Sequence, residues 1–155
     1  MIEYKKGNLL DVTEGIIVHG CNAQGIMGSG VAKAIREKYP ECFDQYRLQY
    51  EVYTLILGDI VWWCQVNQNG DGYHDDLYIA NAITQEFYGT DRRHVNYCAI
   101  ATVFKEIFRQ ANVVKATVHF PKIGAGLGGG NWDIIEAIIN DCDPENRVKK
   151  ICWEL

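Results

Sequence analysis

The segment VHFPKIGAGLGGGNWDII, Val118 to Ile135, decides how this chain reads. VHFP is apolar and β-branched, as a buried strand is, while WDII and the EAIIND after it carry apolar residues at helical spacing. Between them stand glycines at 124, 126, 128, 129 and 130. Glycine loses more conformational freedom on folding than any other residue. A joint this bare therefore serves unusual turns or the close approach of something to the backbone.

The arrangement occurs a second time, in IIVHGCNAQGIMGSGVAKAI, Ile16 to Ile35. Each copy is expected to put free amides and a helix N-terminus at the end of a strand. Unsatisfied N–H groups and the helix dipole both favour negative charge there. GAGLGG fits G-x-G-x-x-G at Gly124, Gly126 and Gly129, but the dinucleotide fingerprint needs further βαβ units and an acidic residue on the next strand. Only one more strand follows before Leu155, so that reading is poor. No Lys-Ser/Thr follows the glycines, which removes the P-loop. Two glycine loops, each feeding a helix, point to a two-sided clamp on a pyrophosphate.

Outward from the loops, IEYKKGN reads as a first strand and GIIVHGCN, Gly15 to Asn22, as a buried second one. VAKAIREKYP is a helix stopped before Pro40, and CFDQYRLQYEVY a second helix. GDIVWWCQV and DLYIANAITQ read as strands joined by the turn-rich NQNGDGYHDD. HVNYCAIATVFKEIFRQAN is helical, ATVHFP a strand, DIIEAIIND a helix and VKKICWEL a final strand. Strands alternating with helices give an α/β sandwich, a sheet with helices on both faces.

At 155 residues the chain is expected to form one domain, residues 1–155. Its composition, 48% hydrophobic and 23% charged, is that of an ordinary globular protein. No apolar run approaches the ~20 residues of a membrane span, and MIEYKKGNLL lacks a signal-peptide layout. A cytoplasmic protein with no membrane partner is expected, a monomer by default. The net charge of −5 argues against general nucleic-acid binding; Arg92-Arg93-His94 is the single dense basic cluster. Cys21, Cys42, Cys64, Cys98, Cys142 and Cys152 are scattered, with no zinc spacing. Neither disulfides, a structural metal nor a cofactor is expected.

These residues resemble a macro domain, the ADP-ribose-binding α/β fold. KGNLL resembles the family's adenine-site G-D-[IL] segment, with Asn8 where aspartate is common. HGCNAQGIMGSGVAKAI resembles its first loop, and FPKIGAGLGGGNW its second, pyrophosphate-binding loop. Within the family the chain is most similar to the small single-domain branch, which includes ADP-ribose 1''-phosphate phosphatases and a group that removes ADP-ribose from acidic side chains. HGCN followed by GSGVA resembles the phosphatases. The deacylating group has an aspartate where this chain has Gly128 and a lysine where it has Gln85, which puts that group's lysine-adduct mechanism in question here. The resemblance implies a three-layer α/β/α sandwich with a mixed central sheet.

It also implies roles. Asn8 and the backbone of Leu9 hold adenine; Gly28, Ser29, Gly30 and Val31 line one side of the diphosphate. Ile123, Gly124, Ala125, Gly126, Leu127 and Gly128 line the other. Asn22 reaches the distal ribose, an amide able both to donate and to accept; the competing reading is a turn-forming asparagine. His19, on a strand otherwise apolar, is either a satisfied core histidine or the acid–base group assisting water. Asp91 orients a water or His19, or is only a charge before a helix. His74, His94 and His119 read as structural, and Cys21 receives no role. Trp62, Trp63, Trp132 and Trp153 read as packing, with Trp132 able to cover one edge of the cleft. Gly128 stands where many relatives place a ring over the distal ribose, and its absence would leave room for a 1''-phosphate.

The expectation is a metal-independent hydrolase that removes phosphate from ADP-ribose 1''-phosphate. Two others stand beside it: an ADP-ribosyl hydrolase acting on modified protein or nucleic acid, and an ADP-ribose reader without turnover.

Overall fold

The computed structural model describes residues 1–66 and 76–155, so NQNGDGYHDD lies outside the described residues except for Asp76, and His74 with it. The elements run β1 (Glu3–Lys6), a 3-10 turn (Leu9–Asp11), β2 (Gly15–Asn22), α1 (Gly30–Lys38), α2 (Pro40–Tyr53) and β3 (Ile60–Gln65). They continue with β4 (Leu77–Gln85), α3 (Tyr97–Val114), β5 (Val118–Phe120), α4 (Trp132–Asp141) and β6 (Lys150–Glu154). The strands form one six-stranded sheet in the order β1-β6-β5-β2-β4-β3. Only β3 runs antiparallel, against β4. The sheet is mixed, as expected.

Alternation along β2 sorts the two faces. Ile16 and Val18 pack with Phe104, Ile107, Ile135 and Ile139 of α3 and α4. Ile17 and Cys21 point the other way, Ile17 toward Ile35 of α1 and Cys42 of α2, Cys21 toward Tyr46 of α2. β2 is buried on both faces, hence its apolar run without alternation from Ile16 to Val18.

This layering positions the cleft. β2 and β5 are neighbours, yet β2 feeds α1 on one face and β5 feeds α4 on the other. Their loops leave the carboxyl edge in opposite directions and open a crevice between them. Ligands of open α/β sheets bind at such a switch point.

β6 is tied down from its own loop. The fully buried Lys150 Nζ donates to Asp143 Oδ2 at 2.5 Å, to Asn146 Oδ1 and to the Val148 carbonyl. A buried ammonium is tolerated only when paired and hydrogen-bonded in this way.

Candidate ligand cleft at the carboxyl edge of the sheet

The crevice is a cleft of about 510 Å³ lined by the ends of β2, β4 and β5 and by both glycine loops. Asn22, Gly28, Ser29, Gly30, Val31, Ile123, Gly124, Gly126, Leu127 and Gly128, from two segments far apart in sequence, meet around it. The loops also touch: Leu127 Cδ1 lies 3.3 Å from where a Cβ on Gly30 would stand.

The first loop is held by side chains. Asn22 Oδ1 accepts from the amides of Gln24 (3.0 Å) and Ile26 (3.3 Å) and from the Tyr46 hydroxyl (3.0 Å). Its Nδ2 donates to the Ile26 carbonyl at 2.8 Å, and Tyr46 also donates to the Asn22 carbonyl at 2.6 Å. These are the bonds of the turn-forming alternative; Asn22 also lines the cleft, and its Nδ2 has one further hydrogen for a ribose hydroxyl.

That loop delivers an open helix end. Ser29 occupies the N-cap of α1, yet its side chain makes no capping bond. The first-turn amides of α1 are orphans by helix geometry, and they face the cleft.

The second loop is held by backbone. Gly129 N donates to Gly126 O (3.1 Å), Gly130 N to Gly124 O (2.8 Å), and His94 N and Val95 N both to Gly128 O (2.9 and 3.1 Å). Added Cβ atoms on Gly124 and Gly130 would each sit 2.6 Å from a Val95 methyl, and one on Gly128 would sit 2.8 Å from Gly124 O. Gly124 also needs φ +77°. A side chain at 128 does not fit this loop shape, so its glycine is explained by loop closure rather than by a widened distal pocket. Among the described glycines, Gly126 alone has nothing within 4 Å. Among the described residues, the amides of Gly126, Leu127 and Gly128 have no acceptor.

α4 is capped where α1 is not, Asn131 Oδ1 accepting from Asp133 N at 2.9 Å, and none of its described residues lines the cleft. Trp132 does not cover the cleft either; its Nε1 donates to the Tyr4 hydroxyl at 3.0 Å, toward β1. Ala125 turns inward onto the core, its amide bonded to Lys122 O.

His19 lies beneath the cleft with its side chain sealed. The residue is 1% exposed, and Nε2 sits 2.6 Å from Asn81 Oδ1. Burial pushes its pKa down to about 4 against the weaker opposing effect of that bond. Held neutral and nearly inaccessible, it has the surroundings of the satisfied core histidine, while the residue borders the floor of the cleft. The Cys21 thiol beside it is pushed up by burial, in keeping with no role. His119 is likewise pushed down to about 4, by burial and then by Lys5 and Lys149. Its Nδ1 accepts from Trp153 Nε1 at 3.1 Å.

The β4 end of the cleft is built from Thr84, Gln85, Tyr88, Gly89 and Thr90, none of which the sequence singled out as binding residues. Asp91 follows directly, its side chain exposed, with Oδ1 2.8 Å from His94 Nε2. That bond, first of all, holds the carboxyl below the usual carboxylate range. Glycine and threonine between an aromatic and an acid were the available signal.

Asn8 and Leu9 stand on the same carboxyl edge, beyond β6. Asn8 Oδ1 accepts from Leu10 N at 2.9 Å; Leu9 packs its side chain with Ile35 and Tyr39. The Leu9 amide has no acceptor among the described residues.

A family model described as Macro domain matches residues 18–139. The chain is 31% identical over 165 residues to a 17.5 kDa protein of the tk-vs intergenic region of Enterobacteria phage T4, covering 99% of this chain and 97% of that one. It is 29% identical to an ADP-ribose 1''-phosphate phosphatase of Scheffersomyces stipitis, covering 96% and 98%. The macrodomain of Mycobacterium tuberculosis DarG has the same fold, with TM-score 0.80 at 22% identity, covering 100% and 98%.

Proposed function

This chain belongs to the macro domain family, and from that premise we propose that it binds ADP-ribose and removes phosphate from ADP-ribose 1''-phosphate. One observation carries the reading. Gly126, Leu127 and Gly128, whose amides have no acceptor among the described residues, line the same cleft as the first turn of α1, whose N-cap side chain makes no capping bond. Donors fixed on both sides of an anion supply charge stabilisation without a lysine cluster. The similarity to a phosphatase over nearly the full length of both chains supports the same reaction here.

In this proposal the diphosphate lies between the loops and the adenine extends toward Asn8 and Leu9. The distal ribose and its phosphate then occupy the β4 end, beside Asp91. An ionised carboxylate there accepts a proton from the attacking water or orients it. Asn22 contributes by fixing the first loop, and His19 takes no part in proton transfer. The hydrolysis proceeds without a metal.

The test is phosphate release from ADP-ribose 1''-phosphate with a chelator present. Release is expected from the unaltered chain. Asp91→Asn is expected to lower kcat by roughly 10²-fold with KM little changed. His19→Asn is expected to retain its pH–rate profile between pH 6 and 8. Binding of ADP-ribose with no release would reduce the function to that of a reader.

A second reading rests on a different feature. Phe87 and Tyr88 are about half exposed beside the β4 end, where a ring could stack on a group linked to the distal ribose. This supports hydrolysis of ADP-ribose attached to a macromolecule. Release of free ADP-ribose from a modified polymer, lost in Tyr88→Ala, would favour it.

A further inference from the structure

The cleft is almost free of formal charge. Among its described lining residues Lys122 alone carries one, since His19 is held neutral. Lys122 follows Pro121 at the end of β5, and its Nζ lies 2.7 Å from Glu154 Oε1 at the end of β6. Glu136 on α4 acts on the same ammonium from further off. Both partners are partly exposed, Lys122 by 47% and Glu154 by 34%. A pair this wet adds little to folding and is free to exchange partners.

Its position gives the pair a further meaning. Glu154 stands in register with Lys6, and its carbonyl accepts from Gly7 N at 2.8 Å, one residue before Asn8. The ion pair therefore sits on the carboxyl edge between the glycine loops and Asn8. A ligand reaching from those loops toward Asn8 and Leu9 passes the ends of β5 and β6, where the pair stands.

We propose that Lys122 is a phosphate-binding residue held in reserve by Glu154, and that the pair sets how strongly the cleft selects for ligand charge. With the cleft empty, the carboxylate occupies the ammonium. When a diphosphate arrives, Lys122 turns from Glu154 to a phosphate oxygen, and Glu154 is left to water. A neutral ligand cannot drive that exchange, so the carboxylate raises the threshold for binding. The inference rests on the proposed function, because it takes ADP-ribose as the occupant.

The experiment is calorimetric titration of ADP-ribose into the unaltered chain and into Lys122→Met, Lys122→Arg and Glu154→Gln, at low and at high salt. Lys122→Met is expected to bind roughly tenfold more weakly and to lose part of the salt dependence. Lys122→Arg retains the affinity. Glu154→Gln binds roughly three- to fivefold more tightly, because the ammonium no longer has to leave a charged partner. Melting temperatures of all four are expected to agree within a few degrees, separating binding from folding. Unchanged affinity in both Lys122→Met and Glu154→Gln would overturn the inference while leaving the proposed function intact. Weakening in Glu154→Gln comparable to that in Lys122→Met would also overturn it, making the carboxylate a ligand contact or a strut. Absence of ADP-ribose binding by the unaltered chain would overturn the proposed function and this inference with it.

Discussion

The two glycine loops lie on opposite sides of one cleft and are built by opposite means. The loop after β2 keeps its shape through Asn22 and the Tyr46 hydroxyl, side chains that bond its backbone from inside. It can therefore leave the N-terminus of α1 uncapped. Among the described residues, the loop after β5 is bonded by a side chain from outside only at its end, where the Tyr97 hydroxyl accepts from Asn131 N. It folds on its own carbonyls and presses against His94 and Val95, which only glycine permits at 124 and 130. It spends its helix end on the Asn131 cap and offers loop amides instead. Equal-looking motifs thus reach the same electrostatic result by a helix dipole on one side and by a strand of free N–H groups on the other.

If that contrast is right, the second loop is intolerant where it packs. Gly124→Ala brings a Cβ to 2.6 Å from Val95 at φ +77° and is expected to cost about 3 kcal/mol or more. Thermal melting checks this, and ADP-ribose binding should be lost with it.

Both strands that enter the loops carry a histidine whose pKa burial lowers to about 4, His19 on β2 and His119 on β5. The unfolded chain binds these protons near pH 6.5, so stability is full above that value and declines as pH falls toward 4. Melting is expected roughly 5–10 °C lower at pH 5 than at pH 7.5. His19→Asn should shrink that difference without shifting the pH profile of phosphate release.

The first loop should be weakened by degrees. Asn22→Ala, which removes several buried hydrogen bonds, is expected to cost about 2 kcal/mol, and Tyr46→Phe about 1. ADP-ribose affinity should fall with them as the end of α1 loosens, by roughly tenfold in the first case. Calorimetry and melting on the same samples separate the two effects. The smallest change belongs to Gly126→Ala, whose Cβ meets nothing within 4 Å. Its stability should stay within about 0.5 kcal/mol of the unaltered chain.

The architecture was legible because it depends on short-range pattern. β2 reads from Gly15 to Asn22 in sequence and is found with those bounds, and each proposed helix has its counterpart. The glycine loops were legible as special for the same reason. What Gly124 and Gly130 do was not, since that is decided by Val95, about thirty residues away in sequence. The bond from the Tyr46 hydroxyl to Asn22 Oδ1 was not legible, because Tyr46 stands on a helix whose docking no local pattern reveals. His19 reads in sequence either as a satisfied core histidine or as an acid–base group, and the Asn81 that stands beside it in register and bonds it comes from β4, which no local pattern reveals. Lys122 and Glu154 lie 32 positions apart and meet only because β5 and β6 pair in parallel.

The central claim is that amides of both loops hold the ligand diphosphate. Titration of ADP-ribose followed by amide nitrogen–proton NMR tests it residue by residue. The account predicts large downfield shifts for Gly126, Leu127 and Gly128 and for the first-turn amides of α1. The amides of Ala125, Gly129 and Gly130, already bonded within the loop, should move far less. Shifts confined to other parts of the sheet edge, or none at 126–128 under saturating ligand, would contradict the two-loop clamp.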